Sequence, residues 1–552
     1  MHRNHNHDTR ASSSRHEGAR NPEEFELMRL RAEAFKQLLL DPSPARPVSR
    51  RNVRAQIAAL ENQLLRMEEL RAQPHTRELL VRMARLAAQR ALMRWWLFPI
   101  NDMLPEILQR IFTIFTFSEP MSRIPKARAT LTSVCAYWRT TVMSMSTLWS
   151  MIPVRELPPF PRLDMNLRLV QRQLLTIRID QRKHDWSGAE FEHRIQPSDM
   201  RRLMTIIAGY LPQVRELEIL ADTCAVIAAA ETVLQDVPPP RSLERLEICR
   251  TGNAYTYILD ENNVTHDPPR DIVFPLRLFR GVQAPMLKHA TFVGVWVDFR
   301  SYSFRDLRTL DMQNMTKEQL PAMRDFFPVL QGSPRLEKLI FNAAAPRMPV
   351  GEDRTWADAK VNLGYLRELE LGNMREYIAT YLVQLICAPR LKRLTLSRLH
   401  NGDFTDFITL ISDGRYRTVT ELTVHGLSCE DERVVSRWIR TMPVRCLRVG
   451  DVSSTFYLAL AHRFPDTELG PPHTRSVCPR LTACEILGWR GGMFEAFQTF
   501  YMQKCDTLRF LIIGDGAWDL IRREERPWFM RLQILKRTPE RSYKDFDRNY
   551  VW

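Results

Sequence analysis

Cysteine and histidine are the residues of this chain whose spacing would most readily reveal a chemical site. Nine cysteines are present, and the closest pair, Cys478 and Cys484, has His473 as its nearest histidine. Zinc sites combine closely spaced thiolate and imidazole ligands, and no such spacing occurs here, so we predict no metal site. The odd number of cysteines, without a Cys-x-x-Cys pair, favours reduced and mostly buried thiols over disulfide bonds.

Catalytic motifs are also missing from the sequence. There is no glycine-rich phosphate loop, no Gly-x-Ser-x-Gly turn and no His-Glu-x-x-His motif, and only 20 of the 552 residues are glycine. His400 and His425 lie on or beside predicted strands, where solvent-facing histidines are commoner than catalytic bases. We therefore expect a non-catalytic protein that needs no cofactor. The alternative is an enzyme of an unrecognised class.

The composition indicates a soluble globular protein with several units. Hydrophobic residues make up 44% of the chain and aromatic residues 9%, which is typical of folded proteins. The chain is too long for one compact core, so we expect about two to four units. No apolar run approaches the ~20 residues that span a bilayer, and the first residues lack the apolar core of a signal peptide. We expect an intracellular protein, cytoplasmic or nuclear or both, that does not use a membrane.

The net charge of +15 raises the question of nucleic-acid binding. The 79 basic residues are interleaved with 64 acidic ones along the whole chain. The densest basic stretches, residues 77–94 and 522–544, fall on predicted helices or in a tail, where most charge runs are simply solvated. We therefore expect that this protein does not bind nucleic acid.

The first hundred residues predict a polar tail followed by helices. Residues 1–48 are expected to be a mostly disordered basic and polar tail that contains one short amphipathic helix, with Phe25, Met28, Ala32, Phe35 and Leu39 forming its stripe. Residues 49–96 are expected to be a helical, coiled-coil-like lead-in, because apolar residues recur there at steps of three and four. These helices could serve self-association, or they could form a hairpin that folds back on the next unit.

Residues 97–153 predict a small unit of three short helices. Pro105 suits the first turn of a helix, and Glu106 beside it complements the positive end of the helix dipole. A second helix is expected after Pro125, with Ala129, Leu131 and Val134 facing inward, and a third from residue 137 to residue 145. A unit of about 50 residues buries only ~60% of its chain surface, so a partner would complete its core. The alternative is an ordinary helical hairpin whose apolar stripe is only core.

Three sequence segments of this unit, in this order, resemble an F-box. Residues 104–108 read Leu-Pro-Glu-Ile-Leu, residues 134–139 read Val-Cys-Ala-Tyr-Trp-Arg, and residues 148–150 read Leu-Trp-Ser. One departure is that Glu106 follows Pro105 directly, so the Leu-Pro-x-Glu start of the family is one residue short. The helical lead-in ending at Pro99 and Ile100 is also similar to F-box proteins that are abundant in mushroom-forming fungi.

The resemblance implies a Skp-family linker protein as partner and, through it, a cullin. The implied linker-binding residues are Leu104, Pro105, Ile107, Leu108, Ile111, Phe112, Val134, Trp138, Leu148 and Trp149.

An internal repeat dominates residues 160–520. The phrase Leu-x-x-Leu-x-Leu, with aliphatic substitutions, begins at Leu174, Val214, Leu243, Leu287, Leu307, Leu336, Leu366, Leu391, Val419, Val444, Leu481 and Leu508. Most copies from Val214 onward lie 20 to 30 residues apart, close to the period of leucine-rich repeats. Five copies have a proline two residues ahead, which ends a preceding helix and favours an extended strand. The alternative is a conventional α/β domain with parallel strands.

The repeats differ from the leucine-rich-repeat pattern at the ninth position. The family usually has Asn or Cys there, whereas this chain has residues such as Met315, Met374 and Val452. The repeats therefore resemble an irregular intracellular type. The expected fold class is α+β to α/β, with N-terminal helices, a three-helix F-box, an irregular leucine-rich-repeat solenoid and a C-terminal tail over residues 521–552.

These features predict a substrate-receptor, or adaptor, subunit of an SCF-type cullin-RING ubiquitin ligase, whose repeats bind a target protein. The alternatives are an F-box and repeat scaffold that acts without ubiquitin transfer, and a basic nucleic-acid-binding repeat protein. Side chains that flank the inward leucines should line the strand surface, where a solenoid binds extended partners. The predicted target-binding residues there are Asp311, Lys338, Glu368, Glu370, Arg393, Glu421 and His425. The insertion before Leu287 or the C-terminal tail could bind the target instead.

Overall fold

A computed structural model describes residues 22–40, 50–70, 77–97, 103–182, 195–250, 275–300, 304–315, 319–347, 360–399, 402–429, 431–465, 474–532 and 535–538. The predicted disorder of residues 1–21 lies outside these ranges. The chain divides into two compact units, Met1–Leu148 and Trp149–Trp552. The sequence had placed the corresponding boundary between residues 153 and 160. Within the described ranges, no helix has both the length and the apolar character required to cross a bilayer.

The first unit consists of helices. They are α1 (Pro22–Leu40), α2 (Arg50–Leu70), α3 (Arg77–Trp96), α4 (Pro105–Phe117), α5 (Ile124–Val134) and α6 (Ala136–Ser144). Helices α1 and α2 both pack on α3, around a core that includes Leu27, Met83 and Ala84.

The buried side of α1 differs from the predicted stripe. Met28 and Ala32 are exposed, whereas Leu27 is buried and Leu30 packs beside it. Apolar residues lie on more than one side of this helix, so periodicity alone did not determine which side faces α3.

The three short helices predicted after residue 97 are confirmed as α4, α5 and α6. Pro105 is the first residue of α4, as expected. Cys135 caps α6, because its Sγ accepts a hydrogen bond from the backbone N–H of Trp138 at 3.4 Å. In α5, Leu131 is buried and Val134 half-buried, but Ala129 is exposed. The buried row of α5 steps by three or four through Ala127 to Leu131, which leaves Ala129 on another side.

The second unit alternates strands and helices. The strands are β1 (Met151–Val154), β2 (Leu175–Asp180), β3 (Val214–Ala221), β4 (Arg245–Arg250), β5 (His289–Val293), β6 (Thr309–Gln313), β7 (Lys338–Asn342), β8 (Val361–Asn362), β9 (Glu368–Gly372), β10 (Ile386–Cys387), β11 (Arg393–Leu399), β12 (Glu421–Leu427), β13 (Cys446–Gly450), β14 (Arg463–Pro465), β15 (Thr474–Ser476), β16 (Ala483–Ile486), β17 (Phe510–Gly514) and β18 (Leu535–Thr538). The helices are α7 (Pro161–Val170), α8 (Pro197–Ala208), α9 (Cys224–Asp236), α10 (Met323–Gln331), α11 (Glu376–Leu385), α12 (Thr405–Ile411), α13 (Glu432–Arg440), α14 (Ser454–Ala461), α15 (Phe494–Lys504), α16 (Asp515–Leu520) and α17 (Arg526–Met530).

Fourteen of these strands form one open parallel sheet. Their order is β1-β2-β3-β4-β5-β6-β7-β9-β11-β12-β13-β16-β17-β18, so each of the fourteen lies beside the one of them that follows it in the chain. Strands β8 and β10 pair separately and in parallel, and β14 and β15 form an antiparallel pair. This mixed α/β architecture, in which spatial order follows chain order, is solenoid-like. The sheet extends beyond the predicted range of residues 160–520, with β1 before it and β18 within the predicted tail.

The register places equivalent leucines of successive repeats beside one another. Leu369 of β9 pairs with Leu339 of β7 on one side and with Leu394 of β11 on the other. All three are at most 1% exposed, so the fourth motif position forms a continuous apolar core across the sheet. This confirms the predicted inward positions and the parallel strands.

The backbone turns sharply at the eighth motif position of several central repeats. Asn314, Asn373 and Asp451 have φ values of 53°, 50° and 50° there, a conformation that asparagine and aspartate tolerate better than most residues. The following residues, such as Met315 and Met374, are buried. Apolar packing therefore occupies the position at which the leucine-rich-repeat pattern has a polar side chain.

Candidate protein-binding surfaces

Helix α4 has apolar residues on two sides, and only one of them is covered. Leu108 and Phe112 are fully buried, and the Phe112 ring lies 4.7 Å from that of Trp138. Leu104, Ile107 and Ile114 on the other side are 66%, 49% and 57% exposed. A contiguous group of large exposed apolar side chains is a candidate binding surface.

The predicted linker-binding residues therefore differ in how far they are exposed to solvent. Leu104, Pro105, Ile107 and Ile111 are exposed, and Val134 and Trp138 are half-buried. In the first unit, Leu108, Phe112 and Leu148 are buried, as is Trp149 in the second unit. A buried side chain cannot contact a partner in this conformation, so these four residues do not belong to a contact surface. They stabilise the folds that carry it.

The list of predicted contacts also omitted exposed residues of the same module. Ile114, Phe115, Phe117, Tyr137 and Met143 are large, apolar and exposed. The steps of three and four that connect Leu104 to Ile107, Ile111 and Ile114 could have identified the uncovered row. We name the residues Leu104, Ile107, Ile111, Ile114 and Phe115 the α4 face.

On the second unit, alternating charges form a chain of ion pairs across six neighbouring strands. This charge ladder consists of Lys338, Glu368, Arg393, Glu421, Arg448 and Glu485. Lys338 Nζ lies 3.2 Å from Glu368 Oε2, and Arg393 joins Glu368 to Glu421, with 3.2 Å from Arg393 Nε to Glu421 Oε2. Arg448 continues the ladder, with 4.0 Å to Glu421 and 2.9 Å to Glu485.

The ladder neutralises most of the charge that the sequence had assigned to target recognition. Burial alone would lower the pKa of Arg393, but the charges and hydrogen bonds of Glu368 and Glu421 outweigh it and raise that pKa. Each pair is partly exposed to solvent, so each contributes little by itself. A partner that pairs with one of these side chains has to compete with an intramolecular ion pair.

Two of the predicted target-binding residues are not accessible. Asp311 is fully buried and its Oδ1 accepts a hydrogen bond from Gln313 Nε2 at 2.9 Å, while His425 is buried with its Nε2 3.1 Å from Asp451 Oδ2. The prediction that they line an open surface is wrong for this reason. Glu370 is half-buried on β9. Strand alternation determined the direction of these side chains but not what covers them.

A buried carboxyl group that the sequence did not indicate lies on β4. Glu247 is 3% exposed and pairs in register with Glu218 of β3. Burial, reinforced by the charge of Glu218, raises the pKa of Glu247 to about 7. Arg178 lies 3.2 Å from Glu218, and the Cys249 thiol donates a hydrogen bond to Glu247 at 3.4 Å.

Among the described residues, no three His, Cys, Asp or Glu side chains lie close enough together to bind a metal ion. Six of the nine cysteines are buried, including Cys478 and Cys484, and all nine are free thiols. The apolar α4 face and the polar sheet surface are candidate contact surfaces only by their exposure and charge. No protein-family model matches this sequence, and neither does any curated protein.

Proposed function

We propose that this chain is the non-catalytic substrate receptor of an SCF-type ubiquitin ligase. In this proposal the first unit binds a Skp-family linker protein, and through it a cullin, while the repeats of the second unit bind a target protein. The observation that carries the proposal is the α4 face, a row of exposed apolar side chains on a helix whose opposite side already packs into its own core.

The apolar character of this face favours a permanent protein partner. A side chain of this size gains about 1.5–3 kcal/mol when it is fully buried, and the face presents five of them. Glu106 beside Pro105 is also exposed, so a polar rim adjoins the apolar row, as in many protein interfaces. The class of partner, a Skp-family linker protein, is inferred from the F-box resemblance. That resemblance lies in residues 104–108, 134–139 and 148–150.

The second unit supports the target-binding half of the proposal by its architecture. An open sheet of fourteen strands presents a long continuous surface, and surfaces of this kind suit extended partners. Lys338, Glu368, Arg393 and Glu421 lie on that surface as part of the charge ladder. We propose target contact along these strands, with the partner's charges replacing some of the ladder's own pairs.

The linker contact is tested by co-purification. The double variant Ile107→Asp, Ile111→Asp should reduce capture of a co-expressed Skp-family linker protein at least tenfold, because two charges would be buried in an apolar interface. Leu104→Ala with Pro105→Ala should weaken capture by a smaller factor. The matched control is Leu65→Asp with Val81→Asp, which alters two exposed apolar residues of α2 and α3 and should leave capture unchanged.

Undiminished capture by the Ile107, Ile111 variant would remove the α4 face from the interface. Ubiquitin transfer is tested separately, by measuring the half-life of proteins that co-purify with the chain, with and without proteasome inhibition. Linker binding without any change in partner half-life would favour the scaffold function over the ligase function.

A further inference from the structure

Basic residues that are far apart in the sequence form one row in the fold. The row lies at or just before the first residues of successive strands. From the copy at Val214 onward, a ladder of backbone hydrogen bonds, 2.7 to 2.9 Å long, connects the residue at the second motif position of each repeat to its counterpart on the next. These eleven residues are Arg215, Glu244, Lys288, Arg308, Glu337, Arg367, Lys392, Thr420, Arg445, Thr482 and Arg509. Seven are basic and two acidic, so the row itself carries a net charge of +5. We name the seven basic residues the basic edge.

The side chains of the basic edge are accessible. Six of the seven are exposed, and Lys288 is half-buried. Arg308 lies 3.6 Å from Glu337 and Arg215 lies 3.5 Å from Glu216. For the other five, no ion pair is found among the described residues. This distinguishes the basic edge from the charge ladder, in which every side chain has a partner of opposite charge.

The turns just before the strands add to the same charge. Arg335, Arg390 and Arg480 occupy equivalent places, each between a proline and the first apolar residue of its repeat, and all three are exposed. Arg390 lies over the ring of Tyr365, with 5.7 Å from its guanidinium carbon to the ring centroid. Tyr365 is 53% exposed, so an aromatic residue accompanies the cations at this edge.

We propose that the basic edge binds the phosphodiester backbone of a nucleic acid. Neighbouring strands lie about 4.8 Å apart, so the ten steps of the ladder distribute seven basic side chains over about 48 Å. The basic edge is mostly arginine, whose planar guanidinium suits phosphate. Its eleven ladder positions include no apolar side chain, whereas a protein interface depends on buried apolar or aromatic anchors. A row of mostly positive side chains without such anchors suits a polymer that carries one negative charge in every repeating unit.

Tyr365 favours a strand with accessible bases, because an exposed ring beside a cation is a stacking platform for an unpaired base. The sequence had argued against nucleic acid because the basic residues are dispersed along the chain. The fold removes that objection, since residues about 25 positions apart become neighbours across the sheet. This inference is independent of the proposed ligase function, and either can fail without the other.

The test uses the full chain and a fluorescently labelled single-stranded oligouridylate in an anisotropy titration over a range of salt concentrations. The triple variant Arg367→Glu, Lys392→Glu, Arg445→Glu should lose at least about tenfold in affinity near physiological salt, and its salt dependence should fall by about two in logarithmic slope. The matched control Arg201→Glu, Arg433→Glu, Arg437→Glu changes the net charge equally through exposed arginines of α8 and α13. It should stay within about twofold of the natural chain.

Equal losses in the two triple variants would overturn the proposal, because net charge rather than the basic edge would then determine binding. Absence of binding by the natural chain at low salt would overturn it as well. A polyglutamate competitor of matched charge tests an acidic protein segment as the occupant, and competition as strong as that of unlabelled oligouridylate would replace nucleic acid by such a segment. A duplex of the same length distinguishes the two forms of nucleic acid, and weaker binding than the single strand is expected. Circular dichroism of both variants confirms that they are folded.

Discussion

Glu247 illustrates how a residue that looks ordinary in the sequence acquires an unusual chemical state in the fold. Its carboxyl group lies on β4 beside Glu218 of the preceding strand. Both carboxyl groups have raised pKa values, in each case mainly because burial disfavours the charged form. For Glu247 the value reaches about 7, so the group is partly protonated under ordinary conditions. A nearby cation, Arg178, offsets part of the cost for Glu218.

This state predicts a specific pH dependence of stability. The folded protein holds the Glu247 proton up to about pH 7, whereas the unfolded chain releases it near its ordinary pKa of about 4.3. Stability from this group is therefore present at low pH and is lost as the pH rises through that interval. Glu247→Gln removes the titration, so the free energy of unfolding of the variant relative to the natural chain should rise between pH 5 and pH 8, by up to about 3 kcal/mol.

The measurement is urea denaturation of both proteins at several pH values. The natural chain measured at each pH is the reference. A difference between the two proteins that does not vary with pH would mean that the Glu247 carboxyl group is ionised throughout this range.

Among the elements, the strands of the second unit carry the ion pairs that the sequence had interpreted as free recognition charges. Alternation along each strand placed Glu368, Arg393 and Glu421 on the same surface, and the parallel register then brought them side by side. These residues pair because each occupies the third position of its motif and the parallel strands are aligned motif to motif. The same principle explains why the residues one position earlier form a separate row with a different charge balance.

A double-mutant cycle tests the pairing. Arg393→Ala and Glu368→Ala should each destabilise the protein slightly, and their coupling energy should be about 0.2–1 kcal/mol, the range of partly exposed ion pairs. The coupling should shrink at high salt because the charges are screened. The cycle between Lys392 and Glu368 is the control, since Lys392 is adjacent in sequence but makes no ion pair within the described residues. Equal coupling in both cycles would contradict the ladder geometry.

At the scale of the whole molecule, the chain forms two compact units, Met1–Leu148 and Trp149–Trp552. Each has an apolar core of its own, built on helices in the first and on the parallel sheet in the second. Domains with separate cores generally fold independently.

The organisation predicts that residues 149–552 fold without residues 1–148. The fragment should give the far-ultraviolet circular dichroism of a mixed α/β protein and should unfold cooperatively. It should also bind oligouridylate as the full chain does, because the basic edge lies entirely within it, and it should fail to capture the linker protein. An aggregated fragment without a cooperative transition would show that the second unit depends on the first for folding.

The sequence alone determined the periodic features of this protein. The repeat of Leu-x-x-Leu-x-Leu predicted parallel strands with inward leucines, and Leu369 and Leu394 are buried side by side as expected. Pro105 predicted the start of α4 correctly. Such features follow from local rules, since backbone geometry relates the spacing of apolar residues to the type and direction of an element.

Tertiary structure alone decided which side chains are covered and which charges meet. Helix α4 is apolar on two sides, and only packing on α5 and α6 determined that Leu108 is buried while Ile107 remains exposed. Asp311 points away from the inward leucines, yet it is fully buried. The basic edge likewise exists only in the fold, because strand register aligns residues such as Arg367 and Lys392 that the sequence separates. Burial and electrostatics depend on neighbours that are distant in the chain, and local spacing contains no information about them.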